Sequence, residues 1–121
     1  MKVMRISKVP RQPVTSPLFT GRRVSRQPLV TDDMGKSFNL AVVNFGKGIR
    51  NKFHTHTSDQ VLIVTAGKGI VATEGEERRV TLGDVIHIPA REKHWHGATK
   101  DSAFSHLALT AASSKTTQLE D

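Results

Sequence analysis

Residues 52–64 read KFHTHTSDQVLIV, two histidines one threonine apart on the lip of a run of strand formers. In an extended chain alternate side chains point to the same side, so His54 and His56 project together, one pleat apart, in chelate geometry. A metal takes at least one further protein ligand, and imidazole is the commonest. Gln60 opens the apolar run and can return its amide oxygen to the same ion. His94, in REKHWHG, follows a turn and can join from a neighbouring strand. All six histidines fall between positions 54 and 106. His96 shares the face of His94 if that segment is extended, and an imidazole can accept or return a proton near neutral pH. The chain has no cysteine and no tyrosine. Disulfides, thiolate sites and phenolic acids are therefore excluded, and proton chemistry falls to His, Asp, Glu or Lys.

The elements that must position these groups read as strands. FNLAVVNF (38–45), QVLIVTA (60–66), GIVATE (69–74), RRVTL (78–82), VIHIP (85–89) and AFSHLALT (103–110) are short and rich in β-branched residues. GKGIR, AGKG, EGEE and LGD supply turns between them. VTSPLFTGRRVSRQPLV (14–30) suits edge strands, its prolines sitting where no ladder bond is needed. No stretch has helical periodicity, which predicts an all-β sandwich or small barrel. With 121 residues, 36% of them hydrophobic, the chain supports one domain with one core. The expected organisation is a basic N-terminal arm (1–13), a β-domain (14–110) and a polar tail (111–121) that frays.

The formal charge of +7 is uneven. Residues 1–30 carry seven basic residues (Lys2, Arg5, Lys8, Arg11, Arg22, Arg23 and Arg26) and no acid, which leaves 18 − 7 = 11 basic residues against 11 acidic ones elsewhere. The body is neutral. The arm lacks the interleaved aromatics that base stacking uses, so nucleic acid is not the expected partner. Pro10, Pro13 and Pro17 would break the amphipathic helix of a mitochondrial presequence. No apolar run is long enough for a signal peptide or a membrane span, and the expected location is the cytoplasm.

The histidines also keep fixed offsets to glycine and proline. Gly48-x5-His54-x-His56-x3-Gln60-x6-Gly67, followed by Gly83-x5-Pro89-x4-His94, resembles the two signature motifs of the cupins, small jelly-roll β-barrels with a metal inside. The resemblance covers roughly residues 40–110. It implies that His54, His56, Gln60 and His94 are the metal ligands. Two departures stand out: Gln60 where the family usually has glutamate, and Arg91 and Ala98 where it usually has glycine and asparagine. A neutral amide in place of a carboxylate leaves the charge of a divalent ion uncompensated. That favours polarisation of a bound oxygen over redox work.

FTG, HTH…Q with LIVTAGKG, GDVIHIP, EKHWHGA and SHLAL resemble the small bacterial cupins that include manganese-dependent hydroxynitrile lyases. They resemble less closely the cupins that process unsaturated uronates. The resemblance implies one divalent transition metal per subunit, manganese first, with Fe, Ni, Co or Zn as alternatives. It places His106 beside the metal as a proton carrier, with His96 a second candidate for that role or a support for a ligand, and Ala41 and Val43 in an apolar pocket above the metal. The expected activity is redox-neutral lyase chemistry on a small oxygenated substrate, in its most concrete form cyanohydrin cleavage and formation. Metal-dependent oxygenation, uronate processing and ligand binding without catalysis are the alternatives. For a uronate carboxylate only Arg91 and Lys93 lie near in sequence. His87 stands where relatives carry a bulky apolar residue and is left out of the site. Open sheet edges need cover, and the early strands are expected to pair with a second subunit in a homodimer.

Overall fold

The computed structural model describes residues 1–121. Its strands are β1 (Gln12–Pro13), β2 (Val24–Val30), β3 (Phe38–Phe45), β4 (His54–His56), β5 (Gln60–Thr73), β6 (Glu77–Thr81), β7 (Val85–Ile88), β8 (His94–Ala98), β9 (Phe104–Ala111) and β10 (Thr116–Gln118). A single turn of 3-10 helix, Ile6–Lys8, precedes them. No helix is long and apolar enough to cross a membrane.

Hydrogen-bonded neighbours run in the order β1-β2-β3-β9-β5-β8-β4-β10, with β6 and β7 also on β5. The result is an all-β jelly roll. β5 joins its two sheets: its first half lies between β7 and β9, its second between β6 and β8. The sequence predicts two strands here, divided at AGKG. One 14-residue strand forms instead, because a bulge between Val64 and Ala66 bends it without ending the ladder. Gly67 sits in that bend at φ 73°, and a Cβ there would lie 1.9 Å from the Ala103 carbonyl oxygen. Only glycine fits.

Side chains directly opposite in a ladder share a face, so the pairings lay out the barrel interior in rows. Val24, Phe45 and Phe104 form one row. There the core gathers, with Phe45 stacked on Phe104 at 5.9 Å and Val43, Val64, Val80 and Ala98 around them. Arg26, Val43, His106 and Val64 form the next row. Ala41, Ala108 and Leu62 follow, then Asn39, Thr110 and Gln60. Apolar packing fills one end of the barrel, and polar groups line the other.

Both termini are docked. Gln27 donates its amide to the carbonyl oxygens of Ile6 and Val9, holding the arm over the outer face of β2. The tail does not fray as its composition predicts. β10 pairs with β4, matching Thr116 to His56 and Gln118 to His54. Glu120 Oε1 accepts from Arg50 Nη2 at 2.8 Å and from the Phe53 N–H at 2.7 Å. These polar residues lacked any apolar alternation to mark a strand, but a ladder and a charged lock hold them.

Candidate metal centre

β4 and β8 bring the motif histidines together. His54 and His94 are paired across the ladder, and their ring centroids lie 4.3 Å apart, with His56 4.9 Å from His54. One nitrogen from each of the three can be chosen so that all lie within 4.8 Å of one another. The three-histidine cluster that the resemblance implies is thus brought together.

Second partners orient the rings. His54 Nδ1 donates to the Lys52 carbonyl at 2.6 Å, and His94 Nδ1 donates to the Glu92 carbonyl at 2.7 Å. A carbonyl only accepts, so both rings carry their proton on Nδ1 and keep the Nε2 lone pair free. His56 Nδ1 lies 2.9 Å from the Thr116 hydroxyl of β10. His56 Nε2, His94 Nε2 and Gln60 Oε1 are all buried without a hydrogen-bond partner. An orphaned buried polar atom costs about 1–3 kcal/mol, and three of them around one point suit a cation. The donor set of three imidazoles and one amide fits a divalent transition metal.

Burial pushes His54 down to about 3, helped by repulsion from His94 and opposed by the Lys52 carbonyl. Burial likewise holds His56 at about 4, with repulsion from His94 adding and the Gln60 side chain offsetting part of it. His94 is lowered for the same first reason. At neutral pH all three present lone pairs rather than charges.

Deeper in the barrel a second pair of imidazoles is joined. Asn51 Oδ1 accepts from the His96 backbone N–H at 2.8 Å, which orients its amide so that Nδ2 donates to His96 Nε2 at 3.2 Å. The proton of His96 then sits on Nδ1 and is donated to His106 Nε2 at 3.0 Å, and His106 Nδ1 donates to the Leu107 carbonyl at 3.1 Å. The assignment is consistent along the whole chain of bonds. Burial holds His106 at about 4, and burial first, then His106, holds His96 well below its ordinary value.

The cavity beside these groups measures about 260 Å³ and is lined by His54, His56, Gln60, His96 and His106, with Ala41, Val43 and Ala108 as an apolar floor. His54, His56, Gln60, His96, His106, Ala41 and Val43, all singled out in the sequence, line it, and His94 joins the cluster through its pairing with His54. Arg91 and Lys93 do not line it. Arg91 occupies a turn at φ 69°, where the family carries glycine, and Lys93 faces Glu74 on the surface. His87 pairs with Asp59 on an exposed face. Sequence reasoning missed Asn51, Thr116 and Arg26. No motif marks them, and only pairing across the barrel brings them to the site.

A model of the family described as "Cupin domain" matches residues 41–110. Among curated proteins, (R)-mandelonitrile lyase from Granulicella tundricola is 46% identical over 70 residues, 57% of this chain and 53% of that one. An acireductone dioxygenase from Synechococcus sp. (strain CC9902) is 38% identical over 63 residues, 46% of this chain and 34% of that one. The chain thus spans about half the length of the first and a third of the second. Among solved structures, a cupin-like protein from Thermotoga maritima superposes with a TM-score of 0.83 at 34% identity, covering 90% of this chain and 84% of that one. A polyketide cyclase from Streptomyces resistomycificus superposes at 0.89 with 18% identity, over 100% of this chain and 87% of that one, a likeness of fold.

Proposed function

The chain belongs to the cupin family, and on that premise we propose that it is a metal-dependent lyase acting on a small oxygenated substrate, cyanohydrin cleavage and formation being the most concrete version. The observation that carries this reading is a three-histidine cluster with orphaned donor atoms beside it, His56 and Gln60 lining the same cavity as a hydrogen-bonded imidazole pair. His54, His56, His94 and Gln60 would hold the metal. When bound it supplies Lewis-acid polarisation of a substrate oxygen. Manganese is the first metal to test. Fe, Co, Ni and Zn suit the same ligands.

His96 and His106 act as one proton-handling unit in this reading. Both lone pairs of the neutral pair are engaged, His96 Nε2 by the Asn51 amide and His106 Nε2 by the His96 Nδ1–H, so taking up a substrate proton requires one of these hydrogen bonds to open. Asn51 is held by the His96 backbone and keeps the ring in that orientation. His96 makes no hydrogen bond to His94, which favours proton transfer over ligand support as its role. Ala41, Val43 and Ala108 exclude water from the floor.

The test is His106→Ala on tag-free, metal-loaded protein with mandelonitrile. A positioned general base contributes about 10²- to 10⁴-fold. The variant should keep its metal and lose activity in that range. Wild-type turnover by His106→Ala at full metal content would remove the proton role. The dioxygenase relatives favour a second reading, oxygenation at the same three histidines. Strictly anaerobic assay separates the two, since lyase turnover persists and oxygenation stops.

A further inference from the structure

Arg26 is the one Lys or Arg on the cavity wall, and no Asp or Glu lines that wall. It forms no ion pair. In the sheet it lies opposite Val43, which lies opposite His106. Its side chain therefore leaves the sheet on the face that carries the imidazoles, two strand spacings, or about 10 Å, from the His106 backbone. Val43, Ala41 and Ala108 share the wall between the two ends, and the remaining lining adds no acid. The protein supplies neutral donors at the imidazole end and a fixed cation at the rim. Nothing in the cavity offsets that cation.

We propose that the cavity selects small hydroxy- or oxo-carboxylates, Arg26 binding the carboxylate while the oxygenated carbon meets the imidazole end. The inference rests on the reading of that end as the place where a substrate oxygen is handled. A guanidinium presents parallel N–H donors that match the two oxygens of a carboxylate, a fit that a linear anion such as cyanide cannot use. At about 260 Å³ the space lies below the usual range for drug-sized ligands, which suits an acid of a few carbons. Within the lyase reading, an acid is then preferred over the neutral substrate of the same shape.

Calorimetric titration of manganese-loaded, full-length protein with pyruvate and with its neutral analogue pyruvamide tests this, beside Arg26→Gln and with metal content measured separately. Arg26 is exposed, so its replacement leaves the core intact. Wild type should bind pyruvate at least about tenfold tighter than pyruvamide. Hydrogen bonds to charged groups predict that Arg26→Gln weakens pyruvate by about 10- to 150-fold and leaves pyruvamide within about twofold. Equal pyruvate affinity in the two proteins, or no preference for pyruvate in metal-loaded wild type, overturns the inference and leaves the lyase reading standing. Arg26-dependent pyruvate binding by a protein that holds no metal supports the carboxylate site and sinks the metal-dependent reading instead.

Discussion

Thr116→Val removes one hydrogen-bond partner from the metal cluster while keeping a β-branched side chain of the same shape in an exposed strand. His54 and His94 are oriented by backbone carbonyls, which no substitution removes, whereas His56 relies on the Thr116 hydroxyl at 2.9 Å. Without it, the His56 Nδ1–H has only water, and the tautomer that leaves Nε2 free is less favoured. A net hydrogen bond is worth about 0.5–1.5 kcal/mol, a factor of about 2–13 in affinity. Partners behind a ligand typically account for about 10- to 100-fold. The ranges overlap near tenfold, and the exposure of Thr116 excludes the upper end because water substitutes in part. Competition against a fluorescent chelator at pH 7.5 should show manganese affinity lowered about tenfold in Thr116→Val and within about twofold of wild type in Thr116→Ser, with unchanged urea midpoints. Removing residues 112–121 also removes the pairing of β10 with β4 and the Glu120 lock, and should cost more than the point variant. Wild-type affinity in Thr116→Val would mean that β10 covers the site without orienting its ligand.

The metal-free protein should lose stability in acid. Folding holds His54 at about 3 and both His56 and His106 at about 4, below the ordinary value of about 6.5. Between pH of about 6.5 and the folded values, the unfolded chain binds protons that the folded chain refuses. Stability is then fully present above about 6.5 and falls below it, by at most about 1.4 kcal/mol per pH unit for each group, less for the part-exposed His56. Urea midpoints from pH 7.5 to 4.5 measure this, and a flat profile would contradict the burial of neutral imidazoles. Gly48 and Gly67 share φ 73°, but a Cβ at Gly48 meets nothing within 4 Å, whereas at Gly67 it meets the Ala103 carbonyl. Gly48→Ala should cost about 1–2 kcal/mol from backbone conformation alone, and Gly67→Ala about 2–5 with the clash added. Equal urea midpoints for the two variants would show that β5 can part from β9 at its bend without cost.

The sequence made the strands and the ligand set legible because both depend on local regularities. The β-branched run FNLAVVNF marks β3, whose bounds match, and the HTH spacing puts two imidazoles on one face of a strand. β10 was illegible because TTQ has no apolar alternation, and its ladder partner lies 60 residues away, between Thr116 and His56. AGKG reads as a turn because glycines usually punctuate strands, but here Gly67 supplies the left-handed residue of a bend inside one strand. Arg26 reads as one more charge in a basic arm. Only the pairing of β2 with β3 assigns it a face, and that pairing brings it to the cavity.

Charge links the two ends of that cavity. Neither Gln60 nor any histidine of the cluster supplies a negative charge at neutral pH, so a divalent ion held there would keep nearly its full charge in a partly buried site. Arg26 adds to that positive field rather than relieving it. An uncompensated buried charge is costly, and water at the open rim screens it only in part. An anionic occupant whose carboxylate meets the guanidinium and whose oxygen faces the imidazoles relieves both ends at once. A carboxylate at position 60 would have neutralised the metal from within the protein and weakened the demand for such an occupant. On the proposal above, the substitution that sets this chain apart from the usual cupin motif and the unpaired arginine on β2 belong to one electrostatic arrangement, in which the protein would leave the negative charge for its substrate to bring.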